Sequence, residues 1–208
     1  MAKQKVFAKN PWISIWTQPR KTLAQILAYN PRHRFVLLSG ISGLASLLYG
    51  AQSYSLGMYF PVWSIIIGAL ILAIPVGMLM IIISTFFLYW TGKLFKGKGN
   101  FLSVRCAVTW SNVPNVVNLI LWGILFSIFD GFMFLNTNLC VSGDCLILAI
   151  IYLLMIAIGI WTFIILICNL SEAQKFSRWR AFFNLILVSV IFGIINGIVM
   201  GITMAASP

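Results

Sequence analysis

Five long apolar stretches, at about 35–52, 62–90, 114–134, 146–169 and 181–203, occupy most of this 208-residue chain. A transmembrane helix needs roughly 20 apolar residues to cross a hydrocarbon core about 30 Å thick, and each stretch reaches or approaches that length. Inside lipid, only a helix or a closed barrel satisfies its own backbone polar groups. Continuous runs of this length predict helices. The expected fold is an all-α integral membrane protein with five transmembrane helices and short cytoplasmic interfacial helices. The chain is 61% hydrophobic and 8% charged, against roughly 25% charged in soluble domains. No room remains for a separate soluble domain, so the expected layout is an interfacial segment, 1–34, followed by a membrane domain, 35–208.

The charges orient the spans. Lys3, Lys5, Lys9, Arg20, Lys21, Arg32 and Arg34 precede the first stretch. Lys93, Lys96, Lys98 and Arg105 fall between the second and third, and Lys175, Arg178 and Arg180 between the fourth and fifth. The connections 53–61 and 135–145 and the tail 204–208 carry no Lys or Arg. Five spans put all the basic segments on one side, which the positive-inside rule makes cytoplasmic, with the N-terminus in and the C-terminus out. The net charge of +11 is thereby assigned to a membrane surface rather than to nucleic acid. The first apolar run begins only near Phe35 and shows no clear cleavage site after it, so no signal peptide is expected. Cys140 and Cys145, on the outer side, are expected to form a disulfide, while Cys106 and Cys168 face a reducing side. The two pairs lie on opposite sides with no histidine near, which argues against zinc; no metal or other cofactor is expected.

Residues 10–31 contain two tryptophans and two prolines around a short amphipathic pattern. Pro19 suits the first turn of a helix, Leu23, Ile26 and Leu27 share a face, and Asn30-Pro31 ends it. Trp12 and Trp16 are expected at headgroup depth, with Arg20 and Lys21 towards anionic lipid. Docking of the same segment on the protein's own inner loops is the alternative, and both can hold. Pro75 interrupts the second span and predicts a kink, because it cannot donate to the Ile71 carbonyl. Residues 100–115 predict a further interfacial or re-entrant helix feeding the third span. Ser42, Ser46 and Gly50 in the first span and Gly193, Gly197 and Gly201 in the last recur every fourth residue. That spacing lets membrane helices approach closely, within one chain or between two copies.

Three stretches, NPWISIWTQPRKTLAQIL, WTGKLFKGKGNFLSVRCAVTWSNVP and EAQKFSRWRAFFNL, resemble in order and spacing the Yip family of five-span membrane proteins, bacterial members most of all. The resemblance implies an all-helical five-span fold with a cytoplasmic N-terminus. Eukaryotic relatives act in vesicle traffic, and some bind Rab GTPases. Those proteins carry a long cytoplasmic N-terminal region, whereas this chain has about 34 residues there, so Rab binding does not carry over. A bacterial inner membrane is the expected location, with an endoplasmic reticulum or Golgi membrane the alternative.

The inventory for catalysis is poor: one histidine, His33, and three acids, Asp130, Asp144 and Glu172. No motif pairs a nucleophile with a base or metal ligands, and no enzyme activity is expected. Glu172 is the one acid among the basic segments. With Asn169, Arg178, Arg180, Arg105 and the amides Asn112, Asn115 and Asn118 it forms an expected polar cluster at the cytoplasmic boundary. Such groups need partners. They serve either as a network joining helix ends or as a pocket for a headgroup or small solute. The function favoured is a non-enzymatic membrane protein that organises or recruits lipids or protein partners, homo-oligomers included, at the cytoplasmic surface. The alternative is a small-solute transporter or channel.

Overall fold

The computed structural model describes residues 10–135 and 145–206, and no strand occurs among them. Two short helices, α1 (Pro11–Thr17) and α2 (Pro19–Tyr29), precede α3 (Phe35–Ser53) and α4 (Val62–Leu94). There follow α5 (Phe101–Ser111), α6 (Asn115–Phe129), α7 (Cys145–Gln174) and α8 (Arg178–Ala206). Five segments are long and apolar enough to cross a membrane: Phe35–Ser53, Val62–Leu94, Phe101–Phe134, Leu146–Gln174 and Arg178–Ile198. Cys140 and the side chain of Cys145 lie outside the described residues, and so does their expected disulfide.

The tightest helix pair is α3 with α4. Ser39 and Gly43 of α3 oppose Ala73 and Gly77 of α4, all four buried. A Cβ placed on Gly43 would stand 2.8 Å from the Gly77 nitrogen, and one on Gly77 would stand 2.9 Å from the Gly43 nitrogen. The backbones touch because neither residue has a side chain. The face expected to do this, Ser42, Ser46 and Gly50, lies roughly 100° round the helix. Ser42 turns instead to Asn112, and Gly50 has no neighbour within 4 Å of a built Cβ. Packing within the chain also fails for Gly193, Gly197 and Gly201, which face open space. Among the described side chains, the buried residues of α8 are Ala181, Asn184, Leu185 and Val188, all in its first half. Helix α4 runs unbroken past Pro75, whose ring lies on an exposed face.

Helix α5 differs most from expectation. Val104, Cys106, Ala107, Val108 and Trp110 are buried all round it, and a helix apolar on every side belongs inside a protein. It packs against α7, α4, α2 and α3 and leads into the third span. Asn100 caps its start, accepting from the Ser103 N–H at 2.8 Å. A turn at Asn112–Pro114 then breaks the third span before α6. With 15 residues, α6 rises only about 22 Å, short of the hydrocarbon core. The span is completed by the 3-10 turn Asp130–Phe134, where Phe134 stacks on Trp122 at 6.1 Å.

Candidate functional site

The three basic segments meet at one end of the bundle because α1 and α2 fold back over α5 and α7. Ile15, Leu23 and Ile26 are fully buried against Cys106, Ala107, Trp110, Ile165 and Ala173. Trp12 meets the Trp110 ring edge-on at 6.0 Å, with Arg34 over its own ring at 5.9 Å. His33 stacks on the other side of this group, 6.1 Å from Trp110 and edge-on to Tyr29 at 5.6 Å. Burial, and secondarily the Arg34 charge, push the His33 imidazole below its ordinary value. Trp12 therefore anchors the segment to the protein itself.

Glu172 is the electrostatic centre of this end. Arg20 Nε donates to its Oε2 at 2.8 Å, and the Lys175 ammonium donates to its Oε1. The partners expected from sequence, Arg178, Arg180 and Arg105, are not the ones used. Helix α2 lays Arg20 across the end of α7, and the chain turns at Lys175 (φ 56) before Arg178 and Arg180 begin α8 in exposed positions. Arg105 lies over the Phe35 ring at 4.4 Å. The single polar cluster expected from sequence is in fact several.

One of these is an amide ladder along the break in the third span. Asn118 Nδ2 donates to Asn115 Oδ1 at 3.3 Å, and Asn115 Nδ2 donates to Asn112 Oδ1 at 3.0 Å. Ser42 donates to the same Asn112 oxygen at 3.3 Å. The spacing of three places these amides on one face. Asn118 Oδ1, at the inner end, is buried without a hydrogen-bond partner among the described residues. Asn169 stands apart and donates to Ser111 Oγ at 3.0 Å.

A second cluster escaped sequence reasoning. Gln174 and Asn184, both fully buried, donate to the Leu88 carbonyl at 3.2 and 3.1 Å, and Thr91 donates to Asn184 Oδ1. The loop after α4 closes over Gln174, whose backbone carbonyl accepts from the Lys98 N–H at 2.8 Å. A Cβ on Gly92 or Gly97 would strike the Gln174 side chain, 2.8 and 2.9 Å from its amide carbon. Isolated amides in or beside an apolar run, Gln174 and Asn184, were the available signal.

The remaining anchors line an open cavity of about 390 Å³ between α1, α2 and α7. Trp16, Arg20 and Lys21 form one wall, Trp161, Ile164, Ile165 and Cys168 another, and Arg178 stands at the rim. Among the described residues no group of three or more His, Cys, Asp or Glu could hold a metal ion.

The family model of the Yip1 domain matches residues 13–200 of the chain. No curated protein and no solved structure matches it.

Proposed function

The chain belongs to the Yip1 domain family, and we propose that it is a non-enzymatic membrane protein whose basic end organises lipids or recruits a partner at the cytoplasmic surface. The observation that carries this is the joining of three sequence-distant basic segments into one face. Arg20 bonds Glu172, the Lys98 N–H bonds Gln174, and Arg105 lies over Phe35. Glu172 is the only acid on the segments that form this face. A fixed cationic surface beside anionic headgroups gains about 1 kcal/mol per Lys or Arg. Positive-inside bias supports its cytoplasmic orientation and, in a bacterium, the inner membrane. Native mass spectrometry of the gently purified protein tests the role: bound lipid or protein is expected, and a bare chain under those conditions overturns it. An impermeant maleimide tests orientation, since labelling of Cys168 from outside intact cells would reverse it.

The broken third span favours a second reading, transport of a small solute. Discontinuous membrane helices with polar groups at the break often line substrate sites, and the ladder from Ser42 to Asn118 follows this break. Saturable uptake by reconstituted vesicles would promote it.

A further inference from the structure

The cavity between α1, α2 and α7 combines two chemistries that a soluble ligand does not need together. Its upper part is cationic. Arg20 is already paired with Glu172, but Lys21 and Arg178 make no ion pair among the described residues. Glu172, the acid at this end, is taken by Arg20 and Lys175. Helix α2 starts here as well, and its N-cap, Gln18, makes no side-chain cap hydrogen bond. The first-turn N–H groups of Arg20 and Lys21 have no partner within the helix, and they add positive potential at the same spot.

The lower part is apolar. Trp161, Ile164, Ile165 and Cys168 recur at helical spacing on one face of α7. Seven residues separate Cys168 from Trp161, a descent of roughly 10 Å towards the bilayer centre. Trp161 and Ile164 are about two-fifths exposed, at 42% and 40%, so this wall opens sideways to hydrocarbon. The volume of about 390 Å³ falls within the roughly 300–1,000 Å³ of small-molecule sites, and a chain leaving it continues in the bilayer.

We propose that this cavity seats one anionic glycerophospholipid of the adjoining leaflet, its phosphate held by Arg20, Lys21 and Arg178 and its first acyl carbons laid along Trp161 and Ile164. A free phosphate would use the rim and leave the apolar wall idle. A lipid uses both. Trp16 closes the cavity beside the headgroup, at the depth indole rings favour. The inference rests on the reading of the basic end as a lipid-facing surface and names the lipid class it takes.

The test uses the full chain in neutral detergent with added phosphatidylglycerol, phosphatidylcholine or inorganic phosphate, read by native mass spectrometry. One phosphatidylglycerol is expected to bind in preference to phosphatidylcholine. The double variant Lys21→Gln/Arg178→Gln should weaken it about tenfold or more, and Arg178→Gln alone should weaken it more than Arg180→Gln, which removes the same single charge off the cavity and should change binding less than about twofold. Cys168, inside the cavity and half-buried, supplies a second readout. Phosphatidylglycerol should slow its alkylation, and this protection should vanish in Arg178→Gln even if the double variant fails to fold. Equal binding of the two lipids, an equal loss in Arg180→Gln, or equal protection of Cys168 by inorganic phosphate would each overturn the site. Orientation plays no part in detergent. A reversed topology would defeat the cytoplasmic role and leave this binding intact, and absent binding would leave the orientation standing.

Discussion

Gly43 and Gly77 face each other across α3 and α4 so closely that a Cβ on either would reach within 3 Å of the other's backbone nitrogen. The contact involves backbone on both sides, so no rotamer change relieves it. Gly43→Ala and Gly77→Ala are each expected to lower stability by about 1–3 kcal/mol, the usual cost of overpacking. Gly197→Ala, in open space, should stay within about 0.5 kcal/mol. Thermal unfolding of the three variants in one detergent decides this.

The Leu88 carbonyl accepts from both Gln174 and Asn184. Replacing either by Leu should cost about 1–3 kcal/mol, since the Leu88 carbonyl loses a buried donor in each case and Thr91 loses its acceptor when Asn184 is replaced. Because the two amides share one acceptor, the double variant should cost less than the sum. Strict additivity in a double-mutant cycle would mean that they act independently.

His33 supplies a pH dependence. Its folded-state value is lowered by burial and by Arg34, so the unfolded chain binds more protons than the folded one. Stabilisation is then full above the unfolded value of about 6.5 and is lost as pH falls towards the folded value. Arg32 and Arg34 flank His33 in the sequence, and Tyr29 and Trp110 face its ring. Melting temperatures between about pH 5 and 8 should fall with acid more steeply in wild type than in His33→Gln. Parallel curves would remove His33 from the account.

Arg20 and Glu172 pair across the N-terminal segment and α7. The Arg20 side chain is 49% exposed, so Glu172→Gln should cost only about 1 kcal/mol of global stability. Its larger effect should be local, as faster trypsin cleavage after Arg20 and Lys21. Unchanged cleavage would leave docking to Ile15, Leu23 and Ile26 alone.

Asn118→Leu separates the two functional readings. It removes an amide whose oxygen has no partner and should leave folding near wild type, within about 1 kcal/mol. If solute follows the ladder, uptake into vesicles should disappear in this variant. The proposed role expects no saturable uptake by either protein.

The five spans were legible because hydrocarbon demands a length and composition that a sequence displays openly. Partner faces were not. Several small residues in α3 recur at a spacing of four, and Gly43 rather than Ser46 meets α4 only because Gly77 stands opposite. The burial of α5, though not the helix itself, was hidden for a related reason: Arg105 interrupts its apolar pattern, and its stacking over Phe35 depends on a fold that sequence alone does not show. The cluster expected around Glu172 assumed that charges near in sequence would pair. Arg20, 152 residues away, and Lys175, three residues on, take the carboxylate instead.

That separation has a consequence in time. Helix α2 leaves the ribosome early, but Ile165, Ala173 and Glu172, on which it docks, are made about 150 residues later. At roughly 5–20 residues per second, this is on the order of 10–30 s. During that interval Leu23 and Ile26 lack the wall that α7 supplies, and the membrane interface is an apolar shelter at hand. The arrival of α7 then completes the clasp by which this early segment closes the finished bundle.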